Sequence, residues 1–367
     1  SWGKLGNDRV DPFQYLSTFN LTNGAHFGID PVLNKGFTIG RLSNPLITWE
    51  KVDTKNIGFE SQFLNGLIGF DFEYFNSNRK DILTPKQASV PDYTGLTLPD
   101  QNIGEVGNQG FETSLIYRNK VNKVDYYIGG NLTFARNKIK FFDEANDIPD
   151  WQRRTGYAID SWLVYKTDGI YQTQKEVDDS PHLMNAQPGD IKYVDVDDDG
   201  EITANDMVRI HESAIPEIVY GINMGAKWNG FELNILWTGQ GRAKQMIRPF
   251  GYNRDVEYFD NRWISAEETP NSLYPRAFNT QDQINNRDSD FWLKNAAFLR
   301  LKNVELAYNV PSSWLEKINI RDLRVFVSGF NLFSIDKIKV LDPEGTNAAG
   351  MYYPQQRVYN VGLSLSF

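Results

Sequence analysis

Apolar and polar residues alternate with a period of two along most of this 367-residue chain, and helical periodicity is scarce. The last segment is the clearest case. There Tyr359, Val361, Leu363, Leu365 and Phe367 are separated by Asn360, Gly362, Ser364 and Ser366. Ile218, Tyr220, Ile222, Met224, Ala226 and Trp228 share one side of a second run. Phe231, Leu233, Ile235 and Trp237 follow, alternating with Glu232, Asn234 and Thr238. Further runs cover 55–64, 67–83, 103–118, 124–141, 298–308 and 323–334. With a stub at residue 1 they predict about ten strands, several near the roughly 9–11 residues that cross a bilayer when tilted. A strand of this kind has one apolar and one polar face.

The links between these runs alternate too. Asn65-Gly66 and Asn229-Gly230 read as two-residue hairpin turns, because Asn-Gly tolerates the positive φ of a type I′ turn. Residues 119–123 and 311–319 are further short links, the second with one helical turn at 312–318. Long links follow Leu83, Phe141, Arg242 and Ile335. Tight turns at one rim and large loops at the other are the signature of an outer-membrane barrel, with the long loops extracellular. A soluble sandwich or propeller has no reason to collect its long loops at one end. The chain ends on Phe367 in an alternating strand, and Trp228, Phe231, Tyr308, Trp314 and Tyr359 sit near strand ends, where an interfacial aromatic girdle belongs.

Composition narrows the functional classes. The net charge of −9 argues against a nucleic-acid binder. The absence of cysteine removes disulfides, thiolate zinc sites and Cys nucleophiles. No apolar stretch reaches the roughly 18 residues of a transmembrane helix. The first residues, Ser1 to Asp8, lack a signal-peptide pattern and read as a strand end entering a polar turn, so the expectation is a chain cut in mid-fold.

One constellation carries specific chemistry. The segment 195–206 places Asp195, Asp197 and Asp199 at positions 1, 3 and 5 of an EF-hand-like loop, Gly200 at 6, Ile202 at 8 and Asp206 at 12. Alternate side chains of such a loop turn toward a hard cation, and Gly200 permits the reversal. Glu201 would offer its backbone carbonyl and Asp206 would close the sphere with a shorter arm than the usual Glu. The expectation is a structural Ca²⁺ with Asp195, Asp197, Asp199, Glu201 and Asp206 as ligands. Without a cation, such a loop repels itself.

Other candidates are weaker. His26, His182 and His211 do not stand at ligand spacing from one another. The glycines 104, 107 and 110 imitate a nucleotide-binding pattern but do not link a strand to a helix; relief of crowding at a barrel rim explains them. No Gly-x-Ser-x-Gly occurs and no carboxylate pair stands out as a glycosidase dyad, so no enzymatic activity is expected. Trp151, Trp162, Tyr165, Tyr171, Tyr252, Tyr258, Phe259, Trp263 and Tyr274 lie in long links. They suit ligand stacking, or loops packed on one another.

Several stretches resemble the SusC/RagA-like TonB-dependent outer-membrane transporters of the Bacteroidetes: 1–7, 44–51, 56–60, 104–112, Pro188-Gly-Asp-Ile-Lys-Tyr193 leading into the Asp-rich loop, 298–304, 330–333 and the final Phe367. They run from end to end of the chain. The resemblance implies a barrel of about 22 strands plugged by an N-terminal domain. It therefore implies that residues 1–367 form the C-terminal part of such an all-β, antiparallel transmembrane barrel, without plug or TonB box. Residues 142–217 would be a long extracellular insertion carrying the calcium loop. The partners implied are outer-membrane lipid, the remaining barrel and plug, a SusD-like surface lipoprotein, TonB, and an oligosaccharide or peptide ligand. The alternative from another class is a soluble or surface-attached, calcium-stabilised β-rich binding or adhesion protein.

Overall fold

The computed structural model describes the chain except residues 8–11, 28–31, 87–97, 249–255, 279–281, 316–319, 339–340, 346–352 and 354. Strand β1 (Trp2–Asn7) is followed by a hairpin of β2 (Phe19–Phe27) and β3 (Val32–Ile39). Four long strands come next: β4 (Glu50–Phe63), β5 (Ile68–Thr84), β6 (Gln101–Val121) and β7 (Val124–Phe141). The link after β7 holds β8 (Leu163–Tyr165), β9 (Thr167–Ile170), helix α1 (Gln174–Asp178), β10 (Ile191–Tyr193) and β11 (Met207–Arg209). After β12 (Ile218–Trp228) and β13 (Phe231–Gly241), a second long link holds β14 (Lys244–Met246), α2 (Val256–Asp260) and β15 (Leu293–Asn295). The last elements are β16 (Phe298–Asn309), α3 (Ser312–Leu315), β17 (Asp322–Asp336) and β18 (Val358–Ser366).

Ten of these strands form one antiparallel sheet in the order β1-β4-β5-β6-β7-β12-β13-β16-β17-β18. They are the ten alternating runs of the sequence. Consecutive neighbours run in opposite directions, so the short links β4–β5, β6–β7, β12–β13 and β16–β17 fall at one end and every long link at the other. By contacts the chain divides into two compact units. One comprises Ser1–Ile57, Phe75–Gln109 and Arg136–Ile159; the other comprises Gly58–Tyr74, Gly110–Ala135 and Asp160–Phe367.

The register converts alternation into two faces. Trp228 pairs with Phe231, Ala226 with Leu233, Met224 with Ile235 and Ile222 with Trp237. Leu233 then meets Leu306, Leu306 meets Val327, and Val327 meets Val361, so apolar residues share one face across five strands. The opposite face places Lys227 beside Glu232, Gly225 beside Asn234 and Glu305 beside Ser328. The apolar face is bare: Val361 is 82% exposed and Leu363 68%. In β4 to β7 the same face carries the ring contacts Phe59–Phe72, Phe72–Phe111 and Phe111–Phe134, with centroids 6.1, 6.0 and 5.7 Å apart. The polar face holds a cleft of about 610 Å³ lined by Glu60, Asp71, Glu73, Glu112, Asn131 and Thr133 among others.

Turn geometry differs from the sequence reading in two places. Asn229 and Gly230, with φ of 47° and 88°, form the expected two-residue turn. The β4–β5 link instead takes four residues, with Leu64, Asn65 and Gly66 all at positive φ. Conversely the 119–123 link contracts to Asn122 and Lys123, because β6 continues to Val121. The glycines 104, 107 and 110 lie inside β6. A Cβ on Gly104 would come within 2.7 Å of Thr84, so close strand contact accounts for that glycine.

The hydrophobic core lies in the long links. Val164, Tyr165, Ile191, Tyr193, Ile202, Met246, Ile284, Trp292 and Leu293 cluster together, with Trp162, Tyr258, Tyr274, Phe278 and Phe291 against them. Residues 162–210 and 246–293 of the two longest links therefore pack on each other. A separate anchor holds the β17–β18 link. Arg300, on the polar face of β16, binds Asp342 through Nη2 at 3.0 and 2.8 Å and Glu344 through Nη1.

Trp292 is fully buried and touches Phe291, Tyr258, Tyr274 and Phe278 by ring contacts. Replacing it by Ala is expected to destabilise the loop core by about 3–5 kcal/mol. Hydrogen exchange on the full-length protein should show faster exchange across 160–217 and 284–296 while β12 and β13 keep their protection.

Candidate metal centre

The Asp-rich loop is gripped at both ends by short ladders. Before it, β10 pairs with β9 through Ile191↔Ile170 and Tyr193↔Thr167. After it, β11 pairs with β8 through Met207↔Tyr165, Val208↔Val164 and Arg209↔Leu163. Between these anchors the chain reverses at Asp198 and Gly200, with φ of 57° and 87°. Asp195 shapes the turn: its Oδ2 accepts the Gly200 N–H at 2.8 Å and its Oδ1 the Asp199 N–H at 3.3 Å. Asp199 Oδ1 accepts the Glu201 N–H at 2.8 Å. Ile202, at position 8, is buried in the loop core and ties the turn to it.

Carboxylate oxygens of Asp195, Asp197 and Asp199 lie within 4.8 Å of one another. Three negative groups at that separation repel unless a cation or protons intervene. Partial desolvation, then the facing charges of Asp199, Asp206 and Asp195, hold the Asp197 carboxyl above the ordinary carboxylate range. Asp197 Oδ1 is shielded from solvent without a hydrogen-bond partner among the described residues. An all-oxygen donor set with an orphaned oxygen fits a hard cation such as Ca²⁺.

Asp206 stands outside that trio and works on the backbone. It is fully buried, its Oδ1 accepts the Val196 N–H at 2.6 Å and its Oδ2 accepts the Thr203 N–H at 2.7 Å. With Thr203 it forms a capping box on the single turn 204–206. Glu201 is exposed and contributes its N–H to the turn.

A second polar cluster fixes the approach to this loop. Asp190 is fully buried; Arg276 Nε lies 2.6 Å from its Oδ1, Asn285 Nδ2 donates at 2.6 Å, and the Gln187 N–H donates to Oδ2 at 3.0 Å. Burial pushes the Asp190 carboxyl above its usual range, opposed by Asn285, Arg276 and the Gln187 N–H. Asn285 also accepts the Ile191 N–H at 2.9 Å, and Tyr193 donates its hydroxyl to the Ile284 carbonyl at 2.5 Å. Gly189 adopts φ +89°, and a Cβ there would meet Trp263 at 2.3 Å. These contacts explain the Pro188–Tyr193 stretch: Gly189 for the turn and Asp190 for the pin.

This cluster escaped the sequence reading. Asp190 and Asn285 are 95 residues apart, and no local spacing announces their contact. Among the link aromatics, Trp162, Tyr165, Tyr258 and Tyr274 belong to the loop core, the packing reading rather than the ligand-stacking one. Tyr171 is buried as well, its hydroxyl on the Pro181 carbonyl at 3.2 Å. Phe259 remains exposed, and Tyr252 lies outside the described residues. His182 Nδ1 is 2.8 Å from the Ser180 carbonyl, while the His26 side chain lies outside the described residues.

Replacing Arg276 by Met leaves the Asp190 charge buried with weaker compensation and is expected to cost about 3–5 kcal/mol of local stability. The double variant with Asp190→Asn should recover a substantial part of that loss. Hydrogen exchange at Ile191 and Tyr193 in the full-length protein measures both.

A protein-family profile described as TonB dependent receptor-like, beta-barrel, matches residues 11–332. The chain is 26% identical to TonB-dependent receptor P26 of Formosa agariphila, across 100% of this chain and 39% of that protein. It is 25% identical to TonB-dependent receptor SusC of Bacteroides thetaiotaomicron, across 100% of this chain and 37% of that protein. The fold is similar to the structure of the RagAB peptide transporter: TM-score 0.71 at 23% identity, covering 100% of this chain and 40% of that one. The chain thus spans about two fifths of the length of the relatives it matches. With ten alternating strands in one antiparallel sheet and a profile match over most of its length, the chain belongs to the TonB-dependent receptor-like β-barrel family.

Proposed function

We propose that this chain forms part of the wall and extracellular loops of an outer-membrane TonB-dependent importer. The carrying observation is the continuous apolar face that the register lays across the sheet, opposite a polar one. Lipid accepts such a face, and every backbone group inside the hydrocarbon must be paired, which only a closed barrel achieves for strands. Closure to about 22 strands then requires strands beyond these ten, in keeping with the fraction of its relatives that the chain spans. The polar face lines the lumen, and the long links stand on the extracellular side.

The cargo class is oligosaccharide or peptide, supported by likeness to a receptor named SusC and to a peptide transporter named RagAB. The working assembly includes the remaining barrel and plug, TonB as energy source and a SusD-like lipoprotein over the loops. This chain contributes position and shape to import and makes no bond-breaking step. Deleting the gene should abolish uptake of one glycan or peptide class and growth on it, and the full-length protein should partition with detergent. Recovery of the intact protein in the aqueous phase without detergent would reject the importer in favour of a soluble or surface-attached adhesion protein.

The Asp-rich loop holds a structural Ca²⁺ in this reading. Asp195, Asp197 and Asp199 supply carboxylates and Glu201 its backbone carbonyl. Asp206 keeps a further lone pair on each hydrogen-bonded oxygen and closes the loop. The ion, when bound, cancels the repulsion among the three aspartates. Asp195→Ala with Asp199→Ala should abolish bound Ca²⁺, measured by mass spectrometry of metal content, and should raise protease cleavage within 195–206. Unchanged metal content in that variant removes the assignment.

A further inference from the structure

Two of the stretches singled out in the sequence, 298–304 and 330–333, hold the side chains that tie down the last long link. Arg300, on the polar face of β16, is 3% exposed. Its Nη2 meets both oxygens of Asp342, its Nη1 binds Glu344, and its guanidinium lies 4.9 Å from the Phe298 ring. Asn331, at φ 52° in β17, donates through Nδ2 to the Gln356 carbonyl at 3.1 Å. Gln355 Nε2 reaches Glu344 at 3.4 Å, so the Glu344 carboxylate joins the outgoing limb of the link to the returning one. Ahead of these contacts Ile338 is buried with Ala243, Ile247 and Ala296, and Leu341 packs against them. The link therefore bends back toward the polar face from an apolar foot.

A cavity of about 530 Å³ lies beside these contacts, lined by Arg300, Ser334, Asp336, Asp342 and Pro343 among others. Three carboxylates, Asp336, Asp342 and Glu344, thus share the surroundings of one guanidinium. Asp336 has no cation partner among the described residues, and its Oδ2 accepts the Ser334 hydroxyl at 2.8 Å. The register sets Arg300 opposite Ser334, which places Asp336 two residues farther along the same face. Diagonal neighbours of this kind lie within reach of a long side chain. The side chains of Asp342 and Glu344 are 16% and 37% exposed, close enough to solvent to hydrate when released. A buried guanidinium left without a counter-ion is strongly disfavoured. Asp336 removes that obstacle, because Arg300 has one set of carboxylates on the link and another on the wall.

We propose that Arg300 is the pivot of a two-state latch on the last link. In the latched state it holds Asp342 and Glu344, and the link lies against the polar face. In the released state it pairs with Asp336, and the link swings away on its apolar foot at Ile338. Two alternative ion pairings give two discrete positions rather than a continuous drift. The exchange of partners rests on the side-chain arrangement alone. What the latch controls rests on the reading of the polar face as the lumen: the room for cargo beside β16 and β17. Arg300 is a positioning residue in this scheme, acting through the link it holds.

Hydrogen exchange on the full-length protein in neutral detergent reads the latch at the Gly345 amide, which donates to the Asp342 carbonyl at 2.9 Å. Asp342→Asn with Glu344→Gln should speed that exchange about tenfold, the factor for one charge-assisted hydrogen bond lost. Asp336→Asn should slow it about threefold, because the released state loses its counter-ion. A fixed pin gives no such slowing, since Asp336 takes no part in it. Undiminished protection of β16 and β17 in both variants shows that the sheet stands. Unchanged exchange at Gly345 in either variant overturns the proposal, and so does acceleration by Asp336→Asn. In cells, Asp336→Asn should lower the maximal rate of cargo uptake about threefold while the half-saturating concentration stays the same. Uptake at the full rate overturns control of passage by the latch. Absence of uptake by the unaltered protein would instead reject the importer reading, and the exchange measurements would still decide the latch.

Discussion

Everything in this structure depends on the pairing of strand to strand in one register. In a sheet with two chemically different faces, a slip of one residue moves every side chain to the wrong side. The β12–β13 hairpin shows how slippage is blocked. Its two-residue turn sets Trp228 against Phe231. Farther along, the Tyr220 ring covers Gly239 and its hydroxyl donates to the Phe298 carbonyl at 3.1 Å, linking three neighbouring strands. On the other face Tyr127 lies over Gly225 and reaches Asn234 at 3.2 Å. A residue with a Cβ at either glycine would push the ring away and lose the cross-strand bond.

That pairing displaces the protein's hydrophobic core. The sheet carries apolar residues on one face and polar ones on the other, and the apolar face is exposed. Burial happens in the two longest links, where β8 to β11, β14 and β15 are too short to hold position by backbone bonds alone. Charged and polar side chains take over that work. Asp190, Arg276 and Asn285 lock one link against the other, and Arg300 with Asp342 and Glu344 secures the last link to β16. Buried ionic pins of this kind add little net stability but discriminate strongly against alternative packings in which one partner is left alone.

The Asp-rich loop is built on the same logic. Ile202 enters the core, Asp206 caps the turn that leads into β11, and the β10 and β11 ladders hold the two ends. What remains free to converge is the trio Asp195, Asp197 and Asp199. The loop is thus shaped largely by its own backbone bonds, which leave three carboxylates facing one another.

The sequence by itself determined the ten strands, the end at which long links gather, and the three converging aspartates. All of these follow from spacing of two, from Asn-Gly turns or from a contiguous loop, and such local signals survive without neighbours. Turn lengths at 64–67 and 122–123 were decided in three dimensions, since adjacent strands extend as far as partners remain available. So were the hydrogen bonds of Asp206 to the Val196 and Thr203 N–H groups, which no spacing rule reveals. The Asp190–Asn285 and Arg300–Asp342 contacts were also decided only by tertiary structure. They join residues far apart in the chain, and a buried charge shows its partner only when the intervening links have folded back.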